Sequence, residues 1–290
     1  MKSGGSHPPV DGFRPEQLLV TVITPTYNQA QYIAQCIESV LQQSHTNIEY
    51  LIFDACSSDG TDEIVAAYLD DPRVVYRREP DTGQANAINK GLEAATGDIV
   101  CWLNSDDFFF DRETLTKVCE VFASNPSVDA VTGDGYHAAA DGTLVAPIVV
   151  SDASRISHRT TLITDNFLQP ATFWRRNDLR LDESLHFVLD WKLFLSMYRT
   201  GRSFHYLPEF LAVYRLHGVG KTTQDSAARK REILEVLRFG GAGTIQQGWA
   251  WLIYRLYAWS EARRMPAIKM FARYANIAMS HLSMGRIVSA

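Results

Sequence analysis

The sequence has few cysteines, no long apolar run, and no repeated or low-complexity segment. Four cysteines occur in 290 residues without paired spacing, and three of them lie in apolar stretches. This pattern is typical of buried thiols in a reducing compartment rather than of disulfides or a zinc site. No apolar run approaches the roughly 20 residues that span a bilayer, and the opening residues lack the apolar region of a secretory signal. We therefore predict a cytoplasmic globular protein.

Charge is unevenly distributed along the chain. The net charge is −5, but residues 229–290 contain ten Lys and Arg against three Asp and Glu, a net of +7, which leaves 18 − 30 = −12 for residues 1–228. The acidic body makes nucleic acid a poor partner. The basic end interleaves tryptophans with arginines over 248–274, which suits the surface of an anionic membrane. Packing of these aromatic side chains on the body or on a second subunit is the equal alternative.

Apolar runs alternate with helical patterns over the first 125 residues. We predict strands at 18–26, 48–56, 73–79 and 98–104, and helices opening at Asn28 and covering 61–69, 83–96 and 113–125. Such alternation predicts an α/β fold with a mostly parallel sheet flanked by helices and ligands bound beyond the carboxyl ends of the strands. The later pattern predicts strands at 170–176 and 204–214, and helices at 190–200, 223–239 and within 248–282.

Two adjacent carboxylates, Asp106 and Asp107, follow the fourth predicted strand. Their charges repel unless a cation or protons neutralise them. Hard oxygen ligands at an open site suit Mg²⁺ or Mn²⁺ completed by phosphate oxygens and water. Taken alone, the pair is more simply interpreted as a solvated turn in which Asp107 caps the next segment.

Four ordered motifs resemble the nucleotide-binding half of the family 2 glycosyltransferases with the GT-A fold. They are VTVITPTYNQAQYI, DACSSDGT, EPDTGQANAINKGLEAATGDIV and WLNSDD, and the similarity extends over about residues 18–220. The resemblance implies an inverting, metal-dependent transfer of a sugar from a nucleotide-diphosphate donor, of UDP type, to an acceptor hydroxyl. It divides the chain into a tail at 1–17, a GT-A domain at 18–228 with halves 18–125 and 126–228, and a helical basic extension at 229–290.

The resemblance also assigns roles to single residues. Those implied to bind the nucleotide sugar are Thr26, Tyr27, Asp54, Asp81, Gly83, Gln84, Asn104 and Ser105. The divalent cation, Mn²⁺ or Mg²⁺, is implied to bind Asp106, with His217 completing its site. Asn104 stands where the family usually has the first acid of Asp-x-Asp, although an amide oxygen still accepts a hydrogen bond from a ribose hydroxyl. This departure keeps open a non-catalytic nucleotide-sugar or carbohydrate-binding homologue.

The segment HFVLDWKLFLSMYRTG resembles the part of the family that carries the catalytic base, which places that role on Asp190. Capping of the following helix is the alternative, and a helix N-terminus would favour the ionised carboxylate. Trp174 and Trp191 are candidates for stacking on the acceptor sugar, with core packing as the alternative. Arg215 and Lys221 are candidates for phosphate contacts, or else ordinary solvated charges.

The expected product is a hexosyl or N-acetylhexosaminyl linkage made during polysaccharide or glycolipid assembly. The acceptor would be a glycan or a lipid-linked glycan, with the enzyme in the cytoplasm or peripheral at the inner face of the membrane. A sugar-1-phosphate nucleotidyltransferase is excluded, because TPTYNQA lacks the Gly-rich, basic loop that grips a triphosphate.

Overall fold

One mixed sheet runs through the protein. The computed structural model describes residues 14–149, 161, 167–217 and 227–262. The strands in this part of the chain are β1 (Val20–Thr26), β2 (Ile48–Asp54), β3 (Val74–Arg78), β4 (Ile99–Trp102), β5 (Phe108–Phe109), β6 (Ala130–Ala138), β7 (Leu144–Ile148), β8 (Thr172–Arg175) and β9 (Phe204–Arg215). Their order is β3-β2-β1-β4-β8-β6-β9-β5, with β7 paired to β6.

Helices cover both faces of the sheet. They are α1 (Ile33–Leu41), α2 (Thr61–Ala66), α3 (Gln84–Ala94), α4 (Thr114–Ser124), α5 (Leu189–Arg199), α6 (Ala227–Phe239) and α7 (Thr244–Ala262), with short 3₁₀ turns at Pro15–Gln17 and Gln169–Ala171. Side chains along β1 alternate between the two cores, since Ile23 packs with α3 and α5 on one face while Val20 and Val22 pack with α1 and α4 on the other. Both faces are therefore apolar, as a covered sheet requires.

The strand directions determine which loops meet. β1 pairs in parallel with β2 and β4, and β2 with β3, so their carboxyl ends lie at one edge. β8 runs antiparallel to β4 and β6, while β9 runs parallel to β6. The short β5 pairs antiparallel with β9, Phe108 opposite Val213. This last pairing brings the chain that follows β9 to the acidic loop after β4.

The structure corrects one expectation about local structure and shows one strand that was not expected. Helix α1 begins at Ile33 rather than at Asn28. Asn28 has a positive φ of 52°, and its backbone N–H donates to Ser57 Oγ at 2.9 Å, so it links two loops instead of capping a helix. Strand β6 was not predicted from the sequence. It contains glycines because β9 is close, and a Cβ at Gly135 would lie 2.5 Å from the carbonyl oxygen of Ala212.

Helix α6 and the first part of α7 pack on the body of the protein. Val236 and Leu237 of α6 are fully buried, and Ala250 and Ile253 of α7 are nearly so. Val236, Leu237 and Ala250 join the core that contains the side chains of α3 and α5. The packing interpretation of the basic extension therefore holds for these residues, and those after 262 lie outside the described part. Among the described residues, no helix is long and apolar enough to cross a membrane.

Candidate functional site

A cleft of about 1000 Å³ opens beyond the carboxyl ends of the central parallel strands. The predicted site residues that line it are Thr26, Tyr27, Asp81, Gly83, Gln84, Asn104, Ser105, Asp106, Asp190 and His217. These residues come from loops more than 190 positions apart in the chain. The sheet topology brings them together, as expected for ligand binding at the carboxyl ends of parallel strands.

Asp106 and His217 form a pair inside the cleft. His217 Nε2 lies 2.7 Å from Asp106 Oδ2, and their side chains retain 10% and 26% of their exposure. The His217 ring stacks on Tyr32 at 5.0 Å between centroids. The pairing of β5 with β9 explains the contact, since it places residue 217 beside the loop after β4. Tyr32 was not among the residues predicted for this site.

The pair fits a divalent cation whose remaining ligands come from a substrate. In the part of the chain that the structure describes, no group of three or more His, Cys, Asp or Glu side chains is arranged to hold a metal. Mg²⁺ commonly binds one or two carboxylates together with substrate phosphates and water, and an imidazole nitrogen also suits Mn²⁺. A carboxylate and an imidazole facing one cleft meet that requirement.

Arg215 lines the cleft and supports this pair, so it is not an ordinary solvated charge, and its contact with phosphate stays a prediction. The side chain is buried, with 4% of its exposure remaining. Its Nε donates to the carbonyl oxygen of Asp106 at 2.7 Å and its Nη1 to that of Ala140 at 2.8 Å. The guanidinium lies over the rings of Tyr32 and Phe108, 4.9 and 5.2 Å from their centroids. Arg215 thus joins the acidic loop to the strand that carries His217. Lys221 lies outside the described residues.

Asp107 points into the protein, away from its neighbour Asp106. It is almost fully buried, and its Oδ1 accepts the backbone N–H of Arg215 at 3.0 Å. Burial, together with the charge of Asp106, raises the pKa of Asp107 well above its ordinary value, against the effects of Arg215 and Asn104. The two adjacent acids therefore have different tasks. Asp107 fixes the loop, and Asp106 faces the cleft.

Asn104 lies at the centre of a hydrogen-bond network. Its Oδ1 accepts from Gln84 Nε2 at 2.7 Å. Its Nδ2 donates to Asp107 Oδ2 and Gln169 Oε1, both at 3.2 Å. Gln169 in turn donates to the carbonyl oxygen of Trp102 at 2.7 Å. A carboxylate at position 104 could accept from Gln84 but could donate to neither partner.

Gln169 is a site residue that the sequence interpretation missed. It lies in the 3₁₀ turn before β8, lines the cleft, and is 9% exposed. The only local signal is a polar residue followed by proline within the apolar segment NFLQPATFW. Its hydrogen-bond partners lie 65 and 67 residues away, which no local pattern reveals.

The side chains predicted to bind the nucleotide differ in how exposed they are. Tyr27 is 60% exposed at the mouth of the cleft. Asp54 is buried and does not line the cleft, because its carboxylate accepts from Ser57 N–H, Ser57 Oγ–H and Tyr76 O–H at 2.8, 2.6 and 2.6 Å. The neighbouring Ala55 lines the cleft instead. Asp54 therefore organises the loop after β2, and its contact with a base remains a prediction.

The loop after β3 enters helix α3 through a glycine. Gly83 has a φ of 136°, a backbone conformation that residues with a side chain rarely adopt. Its N–H donates to Asp81 Oδ1 at 2.8 Å, and α3 begins at Gln84. Gly83 and Gln84 both line the cleft, so the turn places the N-terminus of α3 at its wall, where a helix N-terminus suits an anionic ligand.

Asp190 lies in the first turn of α5 and lines the same cleft. The helix is preceded by Val188, so Asp190 is not the capping residue. Its Oδ1 accepts the backbone N–H of Trp191 at 2.9 Å. Burial raises the pKa of Asp190 above its ordinary value, against the opposing effects of that N–H and of Arg229. The helix N-terminus was expected to favour ionisation, but desolvation outweighs it.

Trp174 and Trp191 lie in the core rather than on the wall of the cleft, which corrects their expected placement. Trp174 is 2% exposed and packs edge-on against Trp102 at 5.6 Å. The indole N–H of Trp191 donates to the carbonyl oxygen of Thr161 at 2.5 Å. Both face inward because β8 and α5 are covered on that side. The cleft near Asp190 is instead lined by Phe167, Leu168, Pro170, His186, Phe187 and Leu189.

Comparisons with known proteins agree with this geometry. The family model described as Glycosyl transferase family 2 matches residues 21–183. A similar curated protein is the putative teichuronic acid biosynthesis glycosyltransferase TuaG of Bacillus subtilis (strain 168). It is 41% identical over 127 residues, which are 43% of this chain and 50% of TuaG. The chain thus spans about half the length of this relative.

Two solved structures share the fold. S. aureus TarS 1–349 in complex with UDP-GlcNAc has a TM-score of 0.63 and 20% identity, covering 77% of this chain and 65% of that one. The mannosyltransferase PcManGT from Pyrobaculum calidifontis, in complex with GDP-Man and Mn²⁺, has a TM-score of 0.58 and 21% identity, covering 94% and 84%. The expected α/β fold of GT-A type is confirmed.

Proposed function

The chain belongs to glycosyl transferase family 2, and from this premise we propose that it transfers a sugar from a nucleotide-diphosphate donor to an acceptor hydroxyl. The observation that carries the proposal is which residues line the cleft. It is lined both by the Asp106–His217 pair and by Asp190, a carboxylate whose pKa burial raises. One side suits a diphosphate, and the other suits a hydroxyl that must lose a proton.

The donor side is the part of the cleft near Thr26, Tyr27, Asp81 and Gln84. We assign it to a nucleotide diphosphate of UDP type, in line with the UDP-GlcNAc complex of TarS, which shares the fold. Asp106 and His217 would hold a divalent cation, Mn²⁺ or Mg²⁺. When bound, such a cation neutralises the charge that develops on a leaving diphosphate.

The acceptor side provides the base. In the proposed displacement the acceptor oxygen bonds to the sugar C1, the bond from C1 to the diphosphate oxygen breaks with its electron pair, and the hydroxyl proton moves to the Asp190 carboxylate. Attack opposite the leaving group inverts the configuration at C1. A base with a raised pKa accepts this proton more readily than an ordinary aspartate does. The acceptor we propose is a growing polysaccharide or glycolipid, in line with the teichuronic acid assignment of TuaG.

A donor screen tests the proposal. UDP-, GDP- and dTDP-sugars are incubated with the protein and Mn²⁺, and release of the nucleoside diphosphate is measured with and without a panel of p-nitrophenyl glycosides as acceptors. Titration calorimetry with UDP and Mn²⁺ gives binding separately. Turnover of one donor supports the transferase. Binding of UDP without turnover of any donor would instead identify a nucleotide-sugar-binding homologue, the alternative that Asn104 keeps open.

The Asn104 network leads to a prediction about the unusual amide. In Asn104→Asp, a carboxylate replaces the amide group that donates hydrogen bonds to Asp107 and Gln169. It also adds a negative charge beside the buried Asp107. Leaving buried groups unpaired costs about 1–3 kcal/mol each, so we expect UDP affinity to fall about tenfold. Calorimetry and a melting curve measure the effect. Unchanged or tighter UDP binding would show that the site is not adapted to the amide.

The exposed face of α7 leads to a prediction about membranes. Ile245, Trp251 and Leu252 are exposed there at 80%, 43% and 43%, and Arg255 lies 4.8 Å from the Trp251 ring centroid. We propose that this face, within the basic extension, attaches reversibly to an anionic bilayer that presents a lipid-linked acceptor. Each Lys or Arg near such a surface contributes about 1 kcal/mol.

We therefore expect the protein to cosediment with phosphatidylglycerol vesicles at low salt and to be released at high salt. Trp251→Ser combined with Leu252→Ser should weaken binding, whereas Val145→Ser, which removes a more exposed apolar side chain from β7, should not. Point variants are preferable to deletion of residues from 240 onward, because deletion would uncover the buried Val236 and Leu237. Intact protein that ignores anionic vesicles at low salt would rule out this attachment.

A further inference from the structure

Glu232 of α6 holds the chain segment that leads into α5. Its Oε1 accepts the backbone N–H of His186 at 3.0 Å, and its Oε2 accepts that of Phe187 at 2.8 Å. The side chain is nearly buried, with 7% of its exposure remaining. Hydrogen bonds from backbone N–H groups to a carboxylate are about twice as strong as neutral ones, and two on adjacent residues fix both the position and the direction of the backbone.

The segment held in this way forms the wall of the cleft beside Asp190. His186, Phe187, Leu189 and Asp190 all line the cleft. Phe187 and Asp190 are separated by only two residues, and α5 begins at Leu189. A shift of the backbone at 186–187 would therefore move both the wall and the carboxylate.

Other contacts tie the same two helices together. Lys192 of α5 pairs with Glu235 of α6 at 3.1 Å and also with Asp182. The Arg199 guanidinium lies 4.6 Å from the centroid of the Phe239 ring and donates to the carbonyl oxygen of Phe239. These contacts, and the buried Val236 and Leu237, make α6 a rigid support for α5.

We propose that α6 is the positioning element of the acceptor side of the cleft, and that Glu232 is its positioning residue. The inference rests on the proposed function, because it assigns the 186–190 wall to acceptor binding and proton transfer. It goes beyond the family match, which ends at residue 183. It also means that the extension predicted at 229–290 supports the acceptor side of the cleft through its first helix, in addition to the membrane face proposed for α7.

The test uses Glu232→Gln in the full chain. The glutamine amide keeps one oxygen, which can still accept a backbone N–H. Its NH₂ group faces the other backbone N–H and cannot accept from it, so one of the two hydrogen bonds is lost. Misplacement of a reacting group by about 1 Å costs up to about 10²-fold in rate, so we expect kcat/KM for the p-nitrophenyl glycoside acceptor to fall at least about tenfold. KM for the donor and the affinity for UDP should stay within about twofold. The control is Glu120→Gln, which changes an exposed carboxylate on α4, a helix that packs on the other face of the sheet, and it should resemble the wild type.

Equal increases in the KM for donor and for acceptor, or the same acceptor-specific loss in Glu120→Gln, would overturn the inference and show general damage to the fold. If Glu232→Gln fails to fold, Glu232→Asp retains the charge with a shorter reach, and it should show the acceptor-specific loss.

Hydrogen exchange of the wild-type protein tests the inference even if both variants fail to fold. The amides of His186 and Phe187 should exchange slowly, and exchange at the rate of an open loop would overturn the inference. A wild-type protein without turnover on any donor would refute the proposed function. An active wild type matched by an equally active Glu232→Gln refutes only the role of Glu232.

Discussion

Asp106→Ala is expected to abolish measurable sugar transfer and Mn²⁺-dependent binding of UDP. The Asp106 carboxylate faces the cleft and lies 2.7 Å from His217 Nε2, so its removal leaves a single imidazole to hold a divalent cation. A neutral methyl group cannot compete with water for a hard cation. Calorimetry with UDP, with and without Mn²⁺, and the transfer assay measure both losses.

Two comparisons make this result specific. Asp70→Ala removes a carboxylate from the exposed loop after α2 and should leave transfer and binding at wild-type values. His217→Ala should weaken the cation-dependent part of UDP binding without removing it. Full activity of Asp106→Ala, or of the wild type in excess EDTA, would contradict the assignment of a divalent cation to this pair.

Asp190→Asn should lower kcat by about 10²-fold or more while UDP binds almost as before. Asparagine has the same shape and still accepts the Trp191 N–H, which Asp190 Oδ1 accepts at 2.9 Å. It cannot accept the proton of the acceptor hydroxyl. Single-turnover kinetics at saturating donor separate the chemical step from binding, and Asp178→Asn, on the exposed surface, is the control. A fall of only a few-fold would mean that Asp190 supports the helix and that the base lies elsewhere.

The pH dependence of the rate provides a second check on Asp190. Burial raises the pKa of this carboxylate, and only the ionised form can act as a base. The rate should therefore rise with pH through the pKa of Asp190 and level off above it, and this limb should lie at higher pH than for an ordinary aspartate. The limb should be missing in Asp190→Asn. A wild-type profile that stays flat down to the ordinary range of an aspartate would argue against a buried base.

Most of the donor side follows from local sequence. Strands β1, β2 and β4 have largely apolar runs because helices cover both of their faces, while the edge strand β3 is mostly exposed. Each run ends in a polar loop with a distinctive spacing, so residues such as Tyr27, Gln84 and Asp106 could be placed on one cleft before the fold was known. Parallel strands bring their carboxyl ends to one edge, and the structure places these three residues on that cleft.

The arrangement of residues on the proposed acceptor side could be seen only in the tertiary structure. An apolar pattern indicates that Trp174 and Trp191 pack against other groups, but it does not identify those groups. In the structure both side chains lie in the core. Strand β6 was missed because Gly133 and Gly135 dilute its pattern, although the close approach of β9 requires them. In both cases the deciding contact comes from a distant part of the chain.

The sequence by itself therefore determined the family, through the resemblance of its ordered motifs, and the parallel half of the sheet with the loops that line the cleft, since motifs, periodicity and loop spacing are local properties. Only the tertiary structure determined which distant parts of the chain the buried charged side chains contact. Arg215 donates to the carbonyl oxygen of Asp106 across 109 positions, and Glu232 accepts from His186 across 46. A buried charged group is stable only where a partner meets it, and the identity of that partner is determined by how the strands and helices pack.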